Sequence, residues 1–262
     1  MGAAYPAGTG TMRRNSALWM VGIIVVLIVA FGVAGLSGRF GGNSADSPAS
    51  GHPSQSNPTS TTSPSPSPQP PAGKHTALAQ LATLPVKGKS PLTGYARVAD
   101  FGRAWLDVDH NGCDTRNDIL ARDMTHVTRS GGCRIMSGVL REPYTGKIID
   151  FLRGVKTSAL VQIDHLVPLA NAWQTGAQKL TQSQRELLGN DPLELLAVDG
   201  SSNEQKGDGD AATWLPAQKG FRCSYVSRQI AVKAKYHLWV TPAERAAMVR
   251  VLSKCPTFPA AR

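Results

Sequence analysis

A small set of side chains in the second half of the chain could together hydrolyse a phosphodiester. Asp164 and His165 are adjacent, and Asn203 and Lys206 follow later. A carboxylate and an amide oxygen are hard ligands that suit magnesium, manganese or calcium. Two protein ligands would leave coordination positions open for water and phosphate oxygens, and His165 has the ordinary pKa of a general base. The set therefore favours metal-assisted phosphodiester cleavage.

The surrounding residues predict a strand–strand–helix unit that would bring this set together. Residues 159–164 (ALVQID) alternate apolar and polar side chains, and residues 193–198 (LELLAV) form a second strand candidate. Asp199-Gly200 is the predicted turn, and Ser202 is the predicted cap of a helix that carries Asn203. Lys206 would lie one helical turn further, where its ammonium could reach a phosphate or take a structural role.

The remainder of the chain after residue 74 indicates a mixed α+β domain. Four further helices are predicted: His75–Leu84, a helix that starts at the capping box of Thr181 and ends at Gly189-Asn190, residues 217–236, and a helix from the capping box of Thr241 to Ser253.

Several short motifs resemble the HNH endonuclease superfamily, in its branch of secreted or membrane-anchored bacterial proteins. They are D-H-x-x-P at 164–168, N-D-P-L at 190–193, N-x-x-K-G-D at 203–208 and W-L-P at 214–216. Similar segments include F-G-x-A-W-x-D-V-D at 101–109, N-G-C-D-T-R-N-D at 111–118 and P-Y-T-G at 143–146. The order and spacing of the motifs carry the resemblance over about residues 95–255.

The resemblance implies a ββα-metal core and a role for each matching residue. His165 matches the general base, and Asp164 and Asn203 match the ligands of one divalent cation, with Mg²⁺ or Mn²⁺ preferred. Lys206 is assigned to the catalytic set with His165.

The middle asparagine of the HNH motif is where this sequence departs from the family. Many members have an Asn-Leu pair at the start of the second strand, but this chain has Glu194-Leu195. Asn190, four residues earlier, is the alternative residue for orienting His165. The departure keeps open a second hypothesis, in which a degenerate HNH fold binds nucleic acid or envelope polymers without cleaving them.

The formal net charge of +10 favours a polyanionic partner such as nucleic acid or an anionic lipid surface. Arg116, Lys219 and Arg222 are the candidate substrate contacts. Lys219 and Arg222 belong to a basic stretch that continues to Lys235, which could be a DNA-backbone face or a solvated helix face.

Residues 107–112 (DVDHNG) match the first half of an EF-hand loop, with Asp118 at the twelfth position. Position twelve usually holds Glu, and position eight, Asp114, is polar instead of apolar. A capped turn or a part of the nuclease cleft is the preferred interpretation, and a calcium-dependent module is the alternative.

The four cysteines, Cys113, Cys133, Cys223 and Cys255, include no C-x-x-C pair, which argues against a zinc cage. Four cysteines allow three pairings. We favour Cys113–Cys133 and Cys223–Cys255, because each closes a local loop of moderate length. Two disulfides fit an oxidising compartment.

The N-terminal part predicts export from the cytoplasm. Ala17–Leu36 is uncharged and apolar, long enough to span a bilayer core of about 30 Å. We predict a cytoplasmic tail at 1–16, a transmembrane anchor or cleaved signal at 17–37, a disordered Ser/Pro/Thr-rich linker at 38–73, and a nuclease-like domain at 74–262. With an anchor the protein is a single-pass membrane protein with an extracytoplasmic domain, and with cleavage it is secreted.

The sequence thus predicts an extracytoplasmic, metal-dependent endonuclease with little sequence specificity, with DNA as the expected substrate and RNA as the alternative. Nucleic acid and, through the N-terminal helix, the membrane are the expected partners, and no protein partner is evident from the sequence.

Overall fold

A computed structural model describes residues 75–262. The predicted tail, membrane segment and linker therefore lie outside the described residues. Within residues 75–262, no helix is both long and apolar enough to cross a membrane.

The described residues form a mixed α+β structure, as the sequence predicts. Eight α-helices are described: α1 (Ala77–Thr83), α2 (Arg97–Phe101), α3 (Thr115–Asp123), α4 (Leu169–Gln174), α5 (Gln182–Asn190), α6 (Gly200–Lys206), α7 (Arg222–Lys235) and α8 (Pro242–Leu252). Five strands are described with them: β1 (Met124–Ser130), β2 (Arg134–Arg141), β3 (Ile148–Leu152), β4 (Val161–His165) and β5 (Leu195–Asp199).

The strands form two antiparallel sheets. β1, β2 and β3 make a three-stranded meander in sequence order, and β4 pairs with β5 in a separate two-stranded sheet. In the second sheet, Asp164 lies opposite Leu196 and His165 lies opposite Leu195. Helix α6 follows β5 directly and packs against both strands. The predicted strand–strand–helix unit is thus present as β4–β5–α6.

The β4–β5 sheet lies between two hydrophobic clusters because its side chains alternate between its faces. Ile163 and Leu195 pack with α3 and the three-stranded sheet. Leu196 and Val198 pack on the other side with α1, α7 and α8. Asp164, opposite Leu196 in the register, therefore points toward the second cluster.

Local hydrogen bonds define the start of α6 differently from the sequence prediction. Asp199 is the N-cap, and its carboxylate accepts from the Ser202 main-chain N–H at 2.8 Å. Ser202 lies inside the helix, so its prediction as the cap was wrong. Gly200 is required at the first helical position, because a Cβ there would collide with the Ala159 carbonyl oxygen. This close approach seats α6 on the start of β4.

Two predicted helix starts are confirmed, and two other elements begin at residues different from those predicted. Thr181 and Thr241 both form complete capping boxes. The long C-terminal helix begins at Arg222, after a 3₁₀ turn at Lys219–Phe221. Strand β4 begins at Val161 after another such turn and extends through His165.

Both preferred disulfide pairings are confirmed. Cys113 is bonded to Cys133, with Cα atoms 5.3 Å apart, and Cys223 is bonded to Cys255, with Cα atoms 6.6 Å apart. The first bond ties the loop before α3 to the β1–β2 turn. The second ties the first turn of α7 to the segment that follows α8.

Candidate active site

The β4–β5–α6 unit places three of the predicted site residues around one cavity. Asp164 and His165 end β4, and Asn203 lies on α6, which packs on the same hairpin. All three line a cavity of about 180 Å³ together with Arg97 and Asp208. Residues distant in the sequence therefore lie around the same cavity.

His165 is held by the main chain. The side chain is buried, and its Nε2 lies 2.9 Å from the carbonyl oxygen of Gly189. A carbonyl oxygen only accepts, so the neutral ring carries its proton on Nε2 and leaves a lone pair on Nδ1. Burial first, and then the nearby Arg97 charge, lower the pKa of His165 to about 3. The imidazole is therefore in the basic form at neutral pH.

The side chain of Asn190 makes other contacts. Its Oδ1 accepts from the Leu106 main-chain N–H at 3.0 Å, and its Nδ2 donates to the Glu186 carbonyl at 2.9 Å. Asn190 thus ties the loop after α2 to α5. The bond to His165 comes from the carbonyl of the preceding residue, Gly189.

Glu194, the other candidate for orienting His165, also bonds elsewhere. It is fully buried, and its two carboxyl oxygens lie 3.2 and 3.1 Å from the Val167 main-chain nitrogen. Burial raises the pKa of Glu194 well above its ordinary value. The carboxyl group therefore fixes the turn after β4, and its burial favours the neutral form.

Asp164 receives a hydrogen bond on each oxygen. The Lys206 ammonium donates to Oδ1 at 2.9 Å, and the Tyr144 hydroxyl donates to Oδ2. Burial and the Asp164 charge raise the pKa of Tyr144 well above its ordinary value, so the phenol stays a donor. Lys206 also donates to the His165 carbonyl at 2.8 Å.

These bonds place the Lys206 ammonium in the interior, because only 1% of its side chain is exposed. The lysine joins the end of β4 to α6. It can hold Asp164 and the His165 backbone in place, and it is not positioned on the surface where a phosphate would arrive.

The donor chemistry of the cavity fits one divalent cation. The Asn203 amide nitrogen donates to Gln162 Oε1 at 2.8 Å, and its Oδ1 is a hard oxygen of the kind that divalent cations bind. Each Asp164 oxygen has a second lone pair beside the one already used. Within residues 75–262, no group of three or more His, Cys, Asp or Glu side chains is arranged around an ion. If Asp164 and Asn203 hold an ion, water and substrate would have to supply the remaining ligands.

Three residues near the site have no role in the sequence analysis. Arg97 is exposed, lines the cavity, and acts electrostatically on His165. Trp105 stacks on the His165 ring at 6.2 Å between centroids and 17° between planes. Tyr144 holds Asp164 from the core. Arg97 lies outside every metal or base motif, whereas Tyr144 belongs to the P-Y-T-G segment and could have been singled out there.

Trp105 has a φ of +66°, in the left-handed region that bulky residues rarely adopt. Such a conformation costs on the order of 1–3 kcal/mol and persists only where the surroundings hold it. In the sequence, Trp105 stands out only as a member of the F-G-x-A-W-x-D-V-D segment. In the structure, the Trp105 ring packs on the ring of the candidate base, His165.

The predicted substrate contacts lie away from this cavity. Arg116 donates to the Val161 carbonyl at 3.1 Å, at the opposite end of β4 from His165. Lys219 and Arg222 line a different and larger groove, of about 590 Å³.

The loop that resembles half an EF-hand forms a self-contained turn. The Asp107 carboxylate accepts from the main-chain N–H groups of Asn111 and Gly112 at 3.1 and 3.0 Å. Asp109 accepts from the Asn111 side chain at 3.1 Å. These bonds match the preferred interpretation as a capped turn.

Comparisons with known proteins relate the chain to nucleases and to a secreted protein. Residues 114–251, more than half of the chain, match the family described as "GmrSD restriction endonucleases, C-terminal domain". An "Uncharacterized secreted protein" of Arthroderma benhamiae is 38% identical over 183 residues, which cover 69% of this chain and 85% of that protein. No solved structure matches the chain.

Proposed function

The chain belongs to the family of GmrSD restriction endonuclease C-terminal domains, and from that premise we propose that it is a metal-dependent endonuclease of the HNH type. It hydrolyses phosphodiester bonds of DNA, with RNA as the second substrate, outside the cytoplasm. The observation that carries the proposal is the convergence of Asp164, His165 and Asn203 on one cavity, with His165 fixed as the Nε2–H tautomer.

His165 acts as the general base. Its Nδ1 takes a proton from a water molecule, whose oxygen forms a new bond to phosphorus. The bond from phosphorus to the leaving sugar oxygen breaks, and that oxygen leaves with the electron pair and takes a proton from solvent. The hydrogen bond to Gly189 holds the ring while its charge changes.

Asp164 and Asn203 would hold one Mg²⁺ or Mn²⁺ ion. A bound ion of this kind supplies charge stabilisation at the phosphate and at the leaving oxygen. Lys206 and Tyr144 are positioning residues, because both bond to Asp164 from inside the protein. Arg97, exposed at the cavity, is suited to pair with a non-bridging phosphate oxygen.

Two observations support an extracytoplasmic site of action. The domain contains two disulfides, which persist in oxidising compartments. The similar Arthroderma benhamiae protein is described as secreted. The anchor or signal proposed at residues 17–37 would deliver the domain there.

A plasmid-nicking assay tests the enzyme hypothesis. The full-length chain, purified in mild detergent, is incubated with supercoiled DNA and Mg²⁺, Mn²⁺ or EDTA. His165→Ala should abolish cleavage, because the ring is the only group proposed to generate hydroxide. His126→Ala is the matched control, since His126 is exposed on β1, and it should cleave as the wild type does. Absence of metal-dependent cleavage, or cleavage untouched by His165→Ala, would refute the proposal.

The same preparation tests the rival hypothesis of a non-catalytic binding protein. The burial of His165 beneath Trp105 is the observation that favours this rival. DNA binding without cleavage under every metal condition would support it.

A further inference from the structure

A second basic feature lies at the C-terminal end of the domain. We call it the basic groove, and it is lined by Leu215, Lys219, Arg222, Ala247, Arg250 and Lys254, among others. Its volume of about 590 Å³ exceeds the 180 Å³ of the His165 cavity. The two share no lining residue, so the basic groove is not a part of the candidate active site.

The charge of the basic groove is uniformly positive. Lys219, Arg222, Arg250 and Lys254 line it, and none of its lining residues within the described chain is acidic. No carboxylate in residues 75–262 forms a salt bridge with any of the four. Four neighbouring cations without a counter-charge repel one another, and an anion in the groove would relieve that repulsion.

The disulfide holds two of these cations together. Arg222 directly precedes Cys223, and Lys254 directly precedes Cys255, so the bond fixes the two basic residues on neighbouring segments. The Arg222 Nε also donates to the Pro216 carbonyl at 2.7 Å, which orients its guanidinium. The disulfide therefore holds the backbone at Arg222 and Lys254 together, and the hydrogen bond orients the Arg222 guanidinium.

The basic groove also has an apolar lining. Leu215, Ala247 and Val251 line it together with Cys223 and the four cations. Sugars and bases could pack on the apolar residues while phosphates pair with the cations. A polymer with regularly spaced phosphates fits this combination better than a small inorganic anion, which would use the charges and leave the apolar surface exposed to water.

We propose that the basic groove is an exosite that binds the phosphodiester backbone of nucleic acid at a distance from the cleavage chemistry. The proposal rests on the proposed function for its choice of nucleic acid among polyanions. An exosite of this kind binds without regard to sequence, because phosphate contacts carry no base information. It would let the protein hold a long polymer while the His165 cavity engages one bond.

The test is a binding measurement in EDTA, so that its result does not depend on cleavage. The groove variant is Arg250→Glu/Lys254→Glu. The control variant is Arg245→Glu/Arg129→Glu, which makes the same change in net charge at exposed residues outside the groove. Arg245 lies on α8 as Arg250 does, which matches the helix context. Binding of a fluorescein-labelled oligonucleotide is measured by anisotropy over a series of salt concentrations.

The groove variant should bind the oligonucleotide at least about tenfold more weakly than the control. The slope of log K against log salt should fall by about 1.4 to 1.8, because each lost phosphate contact removes about 0.7 to 0.9. Equal affinity and equal slope in the two variants would overturn the proposal. A thermal melt checks folding, and the neutral Arg250→Gln/Lys254→Gln variant replaces the charge reversal if that variant melts early.

Two further outcomes distinguish nucleic acid from a lipid surface as the ligand of the groove, and the exosite proposal from the enzyme hypothesis. Vesicles of phosphatidylglycerol present anionic phosphates on a lipid surface. If the groove variant loses vesicle binding and keeps oligonucleotide binding, the groove serves a membrane and the proposal fails. If the wild type binds DNA through the groove and cleaves nothing with any metal, the exosite stands and the enzyme hypothesis fails.

Discussion

Replacing Lys206 by Met tests whether the interior ion pair holds the candidate metal ligand. The Lys206 ammonium lies 2.9 Å from Asp164 Oδ1 and 2.8 Å from the His165 carbonyl oxygen. The two side chains of the pair are 1% and 5% exposed. Met keeps the length and apolar stem of Lys, so the substitution removes the charge with little change in packing. Asp164 then keeps only the Tyr144 hydroxyl as a donor.

The expected loss in the free energy of unfolding of Lys206→Met follows from the burial of the Lys206–Asp164 pair. Removing one partner of a buried ion pair costs about 3–5 kcal/mol, because the other charge is left desolvated and uncompensated. Asp164 borders a polar cavity that water can enter, so the lower end, about 3 kcal/mol, applies. Adding Asp164→Asn removes the stranded charge, so the double variant should recover a large part of the loss.

Urea denaturation in EDTA measures the free energy of unfolding of the wild type, of both single variants and of the double variant. Lys235→Met is the control, because Lys235 forms an ion pair of 2.6 Å with Asp191 while 53% of its side chain is exposed. Asp191 is itself only 5% exposed, but water can reach the exposed Lys235 end of the pair and Tyr236 also donates to Asp191, so this loss should be the smaller of the two. If Lys206→Met costs no more than Lys235→Met, the argument from burial is wrong.

A divalent ion gives a second measurement on the same variant. Without the ammonium, a bound cation becomes the only charge that compensates Asp164. Mn²⁺ should therefore raise the free energy of unfolding of Lys206→Met by more than that of the wild type. An equal effect of Mn²⁺ on both proteins would argue against Asp164 as a metal ligand.

Three other substitutions give independent expectations. Tyr144→Phe removes the second donor to Asp164, should cost about 1.5–3 kcal/mol in urea denaturation, and should lower plasmid cleavage; an unchanged free energy of unfolding would contradict the hydrogen bond. Glu194→Gln concerns a carboxyl whose folded pKa is raised by burial, so its stabilising contribution is complete below the unfolded pKa of 4.5 and is lost as pH rises through the folded pKa. The variant should therefore gain melting temperature relative to wild type as pH rises, and a pH-independent difference would contradict the raised pKa of Glu194. His165 has a folded pKa of about 3 against 6.5 unfolded, so its contribution is complete above pH 6.5 and is lost as pH falls toward 3. Between these limits the free energy of unfolding of the wild type should fall, relative to that of His165→Leu, by about 1.4 kcal/mol for each unit of pH decrease. If the two proteins show the same dependence of this free energy on pH, the buried neutral ring is contradicted.

Much of the local structure around the site follows from the sequence. The capping boxes at Thr181 and Thr241 form as expected because their hydrogen bonds join residues three apart, so no distant partner is needed. Strand β4 follows from its alternation of apolar and polar residues, and β5 follows from an apolar run that precedes Asp199-Gly200. Both disulfides follow the rule of local loop closure.

The three-stranded sheet and α3 have no counterpart in the sequence analysis. Residues 124–130 of β1 are mostly polar and mostly exposed, so they lack the apolar alternation that marks a half-buried strand. Their conformation is fixed by pairing with β2 and by the Cys113–Cys133 bond, which are contacts between separated parts of the chain.

The sequence alone determined which side chains could act as base and hard ligands, and it placed Asp164, His165 and Asn203 on one strand–strand–helix unit. Only the tertiary structure decided how these groups are held. The Gly189 carbonyl that fixes His165 is a main-chain group that every residue carries, so it cannot be identified from the residue type. Whether Lys206 faces a phosphate or the interior depends on which side of α6 packs on β4, and that is decided by the burial of the whole helix face.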